Sequence, residues 1–125
     1  FPGHMDAILY LDTPHVLEIK TAKDSSFKKL MRHGLKYWSE AYYAQIQAYM
    51  GMSDYKYPRG VILVLNKDTS ELYHEWVDYD DIYYHELKMK ALAISTCEEP
   101  PEKLNRNPIF FVCNQCSYRR VCHVD

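Results

Sequence analysis

The 125-residue sequence predicts a mixed α/β sandwich, a central β-sheet flanked by helices. Three observations predict it. Two short stretches of alternating hydrophobicity, His4 to Leu11 and His15 to Ala22, are separated only by Asp12-Thr13-Pro14. The run from Tyr37 to Met52 has apolar residues at helical spacing, and Gly60 to Leu65 is almost purely aliphatic and β-branched.

The elements follow in order. In the first stretch Met5, Ala7, Leu9 and Leu11 fall on one side of a strand; with the turn and the second stretch it forms a hairpin. Asp24-Ser25-Ser26 is an N-cap cluster opening a basic helix through Phe27, Lys28, Lys29, Leu30 and Arg32, which Gly34 ends. In the next helix Trp38, Ala41, Tyr42, Ala48, Tyr49 and Met52 share one face, while Tyr43, Ile46 and Met50 make a second apolar stripe, so the helix should be mostly buried. Gly51 to Pro58 is expected as a loop. The aliphatic run then reads as a central strand covered on both faces. Asn66 to Ser70 is a turn into an alternating edge strand, Glu71 to Val77, and Asp78 to Asp81 caps a helix reaching about Thr96. The predicted order is β-β-α-α-β-β-α. Residues 1–97 form the core domain, and 98–125 a Pro- and charge-rich wrap closed by a cysteine cluster.

Composition narrows the function. A net charge of −2 argues against a histone-like or tail-type nucleic-acid binder but leaves room for acidic metal ligands beside a local basic track. No apolar stretch reaches transmembrane length and no signal peptide is visible, so no membrane partner and a cytoplasmic setting are expected. The abrupt start at Phe1-Pro2-Gly3, directly before a strand, suggests a fragment lacking an N-terminal region. The 12 tyrosines suit half-wet surfaces or base stacking, and composition alone does not choose between them.

The chemistry concentrates in the hairpin. Strand side chains alternate, so Glu18 and Lys20 of Glu18-Ile19-Lys20 share a face, and the short turn lets Asp6 come alongside. Two carboxylates suit Mg²⁺ or Mn²⁺, hard ions that take oxygen ligands, and the Ile19 carbonyl offers a further one. A lysine there can orient an attacking water or offset phosphate charge. Glu-x-Lys alone is common, and an ion pair on a solvated sheet produces it equally well. The flanks Val16-Leu17 and Thr21-Ala22 make the strand otherwise interior, where a carboxylate is costly without a partner or metal.

Gly3-x-x-Asp6, Glu18-x-Lys20 and Gln45-x-x-x-Tyr49, in that order, resemble the motif set of the RecB-like exonuclease branch of the PD-(D/E)XK nuclease superfamily, whose members include phage recombination exonucleases and CRISPR-associated nucleases. The resemblance spans nearly the whole chain. It implies a restriction-endonuclease-like core and metal-dependent hydrolysis of DNA, with exonuclease action expected ahead of endonuclease action. Asp6 and Glu18 would be metal ligands, Lys20 the catalytic lysine, and Gln45 and Tyr49 supports that contact DNA near the scissile phosphate. Gln45 and Tyr49 are i, i+4 neighbours on a helix, although a glutamine in an apolar stripe can also be structural. His4, on the strand face of Asp6, is a candidate third ligand, since some members use a histidine ligand, though often from an upstream helix, or else a merely neighbouring imidazole. DNA is the implied partner, with recombination or repair proteins as further ones, in a bacterial, archaeal or phage-infected cytoplasm. A non-catalytic DNA-binding or assembly module is the alternative from another class.

Three of four cysteines cluster as Cys113-x-x-Cys116-x5-Cys122, followed by His123. In an intracellular chain that spacing suggests a structural metal knuckle. It also resembles the iron–sulfur clasp of several RecB-like nucleases, in which a fourth cysteine precedes the core; none precedes Asp6 here. An iron–sulfur cluster completed from elsewhere, a zinc site completed by His123 or Cys97, and free thiols all remain open. Lys23, Lys28, Lys29, Arg32 and Lys36 are candidate DNA-phosphate contacts just after the acidic motif, with Arg119 and Arg120 a second small patch. Charged helix faces are more often simply solvated.

Overall fold

A computed structural model describes residues 3–54 and 56–124. Phe1 and Pro2, at the expected abrupt start, lie outside the described residues. The hairpin forms: β1 (Ala7–Tyr10) pairs antiparallel with β2 (Pro14–Ala22). Helices α1 (Asp24–His33), α2 (Leu35–Trp38) and α3 (Glu40–Met52) follow, and the chain returns through β3 (Arg59–Asn66), parallel to β2, and β4 (Leu72–Asp78), antiparallel to β3. The sheet order is β1-β2-β3-β4, a four-stranded mixed sheet flanked by helices, with the expected edge at β4. α4 (Asp81–Thr96) comes next; the Asp80 carboxylate accepts from the Tyr83 amide at 2.9 Å, the cap expected from the Asp78 to Asp81 run. Two single-turn helices, α5 (Phe111–Asn114) and α6 (Arg119–Cys122), close the order. Among the described residues no helix is long and apolar enough to cross a membrane.

The chain divides into two compact units, Phe1–Met89 and Lys90–Asp125. The first holds the sheet and its core, where Val16, Ala22, Ile62 and Val64 of the strands meet Phe27, Leu30, Leu35, Ile46 and Met50 of α1, α2 and α3. Each of these side chains larger than alanine contributes about 1.5–3 kcal/mol when fully buried. In the second unit Cys113 is buried, while Leu104, Ile109, Phe111, Tyr118 and Val121 are exposed. Chains below about 40 residues generally need a disulfide, a metal or a partner to hold together.

Several expectations are corrected. The first strand begins at Ala7 rather than His4, because the amide of Ile19, beyond the last β1 pair at Ala7↔Leu17, is taken by the Asp6 carboxylate and not by a strand. The predicted helix from Tyr37 to Met52 is broken at Ser39, whose backbone is extended (φ −153°, ψ 97°) and whose hydroxyl accepts from the Tyr42 amide at 3.4 Å. Serine competes for backbone partners in this way and favours a cap over a helix interior. α3 then ends at Met52, as the apolar spacing predicts, so the loop begins after Met52 rather than at Gly51. The start of α1 is not capped by its own Asp24-Ser25-Ser26 cluster. Lys23 is the N-cap without a side-chain bond, and the Asp24 amide donates to Asp68 at 2.7 Å. Finally, β3 is covered more completely on one face than the other. Gly60, Ile62, Val64 and Asn66 are buried, whereas on the opposite face Val61 is buried, Leu63 half-buried and Leu65 exposed.

Candidate active site

Register places the site on the well-covered face of the sheet. In the parallel β2–β3 pair Glu18 lies opposite Ile62 and Lys20 opposite Val64, so the alternation that buries Val16 and Ala22 carries Glu18 and Lys20 inward too. The Glu18 side chain is only 1% exposed and that of Lys20 19%. Lys20 Nζ lies 2.9 Å from Glu18 Oε2, while Glu18 Oε1 is buried with no hydrogen-bond partner. From the residue before β1, Asp6 Oδ2 accepts from the Ile19 amide at 2.8 Å. Asp6, Glu18, Ile19 and Lys20 therefore converge as expected.

The electrostatics follow from this geometry. Burial pushes the Glu18 carboxyl above its ordinary range; Lys20 pulls it back without cancelling the effect, and the Asp6 charge, with the hydrogen bond a protonated Glu18 can give Asp6, adds to the rise. The Ile19 hydrogen bond, aided by Lys20, holds Asp6 below the usual carboxylate range against some desolvation. Burial alone would lower Lys20, but the hydrogen bond and charge of Glu18, with Asp6, keep its ammonium above its ordinary value. The two acids act oppositely on stability. Glu18 binds its proton more tightly folded than unfolded. Its contribution is full below the ordinary glutamate range and is lost as pH rises through its raised value. Asp6 contributes above the ordinary aspartate range, and that contribution is lost as pH falls through its lowered value. Thermal melts of the metal-free protein from about pH 4 to pH 8 should show a decline toward high pH from Glu18 that Glu18→Gln abolishes. An unchanged slope in the glutamine variant would refute this reading of the buried carboxyl.

Gln45 and Tyr49 form the i, i+4 pair expected on α3, Gln45 Nε2 donating to Tyr49 Oη at 3.0 Å. Their target is backbone. The Tyr49 hydroxyl donates to the His4 carbonyl at 2.6 Å, and a Cβ on Gly3 would meet the Tyr49 ring at 2.8 Å. The pair thus fastens the segment leading into Asp6. His4 is exposed and outside β1, so the shared strand face that made it a candidate ligand is absent. The fully buried glutamine is Gln47, two residues beyond Gln45. Its amide donates to the Asp78 carbonyl and accepts from the Asp80 amide, both at 2.9 Å, which is a structural role.

Sequence reasoning missed two features of this unit. Glu75 on β4 accepts from the Leu35 amide at 2.8 Å and the Tyr73 hydroxyl at 2.6 Å; burial and this carboxylate push the Tyr73 phenol up to about 12. Tyr42 presents its ring to Lys20, with the ammonium 5.0 Å from the centroid. Apolar spacing had marked Tyr42 only as part of a helix face, and nothing in the sequence pairs it with Lys20.

Of the candidate phosphate contacts, Lys23, Lys29 and Arg32 are exposed on or just before α1. Lys28 pairs with Asp24 at 2.7 Å, and Lys36 lies over the Tyr43 and Tyr83 rings at 5.0 and 5.3 Å. Cys113 is buried, Cys97, Cys116 and Cys122 are exposed, and all are free thiols, while His123 Nε2 is buried without a partner. Among the described residues no group of three or more His, Cys, Asp or Glu side chains is arranged to hold a metal ion. The cysteines accordingly form no such group among the described residues. Asp6 and Glu18, a pair of carboxylates with the backbone of Ile19 alongside, are a smaller set than that, of a kind Mg²⁺ accepts when waters complete its shell.

No protein-family profile matches the chain, and no curated protein matches it. Among solved structures, the chain is similar to the crystal structure of SSO0001, with a TM-score of 0.50 and 18% identity over 77% of this chain. The match covers 41% of the SSO0001 chain, so this sequence spans well under half of that protein's length. At this identity the likeness is one of fold, and the fold is α/β, with a four-stranded mixed sheet flanked by helices.

Proposed function

We propose that the chain is the core of a metal-dependent DNA nuclease of the PD-(D/E)XK superfamily, with a restriction-endonuclease-like sheet, acting from DNA ends as RecB-like exonucleases do. One observation carries the reading. Glu18 is an almost fully buried carboxylate with one oxygen paired to Lys20 and the other, Oε1, buried without a partner beside Asp6. A solvated surface ion pair would leave neither oxygen in that state. A buried anion with an unsatisfied oxygen costs several kcal/mol unless a cation or proton meets it, so the carboxylates fit a hard divalent ion.

Asp6 and Glu18 would hold Mg²⁺ or Mn²⁺, with the Ile19 carbonyl as a backbone ligand. When bound, the ion supplies an acidified water and positive charge at the phosphate. Lys20, an ammonium held charged by its surroundings, donates to the attacking water and offsets charge on the phosphate oxygens. Gln45 and Tyr49 fix the backbone that delivers Asp6. The exposed Lys23, Lys29 and Arg32 attract the DNA backbone without reading bases, which predicts little sequence specificity. The cysteines take no part in hydrolysis. Cys113, Cys116 and Cys122, with a fourth ligand, would be the residues to hold an iron–sulfur cluster or zinc, a structural role apart from hydrolysis.

Cleavage of end-labelled linear and closed circular DNA with Mg²⁺, Mn²⁺ or EDTA tests the proposal. Metal-dependent loss of linear DNA with circles intact is the expected result. Cutting of closed circles would replace the exonuclease with an endonuclease, and a folded protein that binds DNA but cleaves neither substrate would leave a binding module.

A further inference from the structure

We infer that Tyr42 is the positioning residue for Lys20, holding its ammonium against the ring face independently of Glu18; the consequence for cleavage rests on the nuclease reading above. Lysine is a compact charge on a long flexible stem, and it acts at one place only if something restrains it. Two groups hold Lys20: Glu18 Oε2 at 2.9 Å and the Tyr42 ring, 5.0 Å from Nζ to centroid. The first hold weakens as soon as Glu18 binds a divalent cation, because the cation competes for the carboxylate and repels the ammonium. The second does not depend on the carboxylate at all.

The ring is itself well anchored. Tyr42 sits in the first turn of α3, where its amide meets the Ser39 hydroxyl, and its ring packs on Trp38 with centroids 5.5 Å apart. The Trp38 indole in turn donates to Ser26 Oγ on α1 at 2.8 Å. A continuous line of contacts therefore runs from α1 through α2 and α3 to the lysine on β2. The break at Ser39 puts Trp38 and Tyr42 on separate helices. Both rings are only half-buried, packed against the core rather than within it. A cation over an aromatic face, partly shielded from water, is attracted more strongly than at an exposed site.

The test is the side-chain order of Lys20, measured by NMR relaxation at its Nζ and Cε in the full chain, without and with Mg²⁺. DNA cleavage and Mg²⁺ affinity are measured in parallel. Wild type and Tyr42→Phe should keep Lys20 ordered in both conditions. Tyr42→Leu should loosen it, more so once Mg²⁺ is added, and slow cleavage roughly tenfold at unchanged Mg²⁺ affinity. Lys36, which lies over Tyr43 and Tyr83, serves as the internal control and should not change. Progressively fluorinated phenylalanines at position 42 weaken the ring face at nearly constant shape. They should reduce Lys20 order stepwise, and they decide the matter should Tyr42→Leu fail to fold. A flat fluorination series, or Lys20 as ordered in Tyr42→Leu as in wild type, overturns the inference. So does a Tyr42→Phe variant as disordered as the leucine one. Because side-chain order needs no turnover, a wild type that cleaves nothing would sink the nuclease reading and still leave Tyr42 decided.

Discussion

Lys20→Ala should lower the single-turnover rate of DNA cleavage by about 10²–10³-fold, the usual loss when one donor aimed at developing charge is removed, while Mg²⁺ binding persists. Glu18→Gln should abolish both cleavage and Mg²⁺ binding. The contrast follows from geometry. Glu18 supplies the buried unpartnered oxygen that a cation would satisfy, whereas Lys20 is already engaged as a donor and has no lone pair to offer a metal. The two substitutions also differ in stability. Removing Lys20 leaves a nearly buried carboxylate with less compensation, so Lys20→Ala should be less stable at neutral pH than wild type. Glu18→Gln removes the charge whose burial is unfavourable there. Calorimetric Mg²⁺ titration beside single-turnover kinetics checks the pair. Wild-type cleavage by Lys20→Ala would reduce the lysine to a counter-charge. Mg²⁺ affinity unchanged in Glu18→Gln would remove Glu18 from the ligand set.

The parts of the fold legible in the sequence were those decided by local pattern. The turn signal at Asp12-Thr13 between two alternating runs specified the hairpin, although Pro14 already pairs with Tyr10, and the β-branched run before Asn66 specified β3. What escaped was decided by partners distant in the chain. Nothing near Asp24 indicates that its amide is capped by Asp68, or that Ile19 would lose its strand partner to a side chain. The break at Ser39 was local and readable in principle, since Ser39-Glu40 is a plausible cap and first turn. The apolar spacing continued across it and outweighed the single serine.

The same division holds at the site. Glu18 and Lys20 stood out because charge interrupts an apolar strand, and register then confirmed that both face the buried side. The spacing of Gln45 and Tyr49 predicted that they meet, but not that the His4 carbonyl is what they hold. His4 was misplaced by carrying strand alternation back past Ala7, where no pairing enforces it. Tyr42 was invisible as a partner of Lys20 because an aromatic at i, i+4 from Trp38 reads equally well as core. The cysteine spacing is a clear pattern in the sequence, yet spacing alone does not bring thiols together as a ligand set.

Gly60→Ala should destabilise the protein by about 1–3 kcal/mol, the cost typical of overpacking a well-filled interior, although removing a glycine from a strand would by itself favour folding by about 0.4–1 kcal/mol through the unfolded chain. The clash wins because the new Cβ would lie 2.5 Å from Ile46 Cγ2, and Ile46 is fully buried with no open side to move toward. Ile46→Ala alone should cost about 2–5 kcal/mol as a cavity. In the double variant the alanine methyl at 60 occupies space that Ile46 has vacated. The two costs should then fall short of their sum by at least about 1 kcal/mol, the coupling expected of residues in direct contact. Denaturant unfolding of the four proteins measures this cycle. The contact matters beyond stability, because it seats α3 on β3, and α3 carries Tyr42, Gln45 and Tyr49. Gly60 lies opposite Val16, one inward-facing step along the sheet from the Ile62–Glu18 pair. Gly60→Ala should therefore slow cleavage even under conditions where it is fully folded, by shifting the helix that anchors both Lys20 and the backbone before Asp6. Strict additivity in the cycle, with wild-type cleavage by the folded single variant, would mean that α3 does not depend on that contact for its placement.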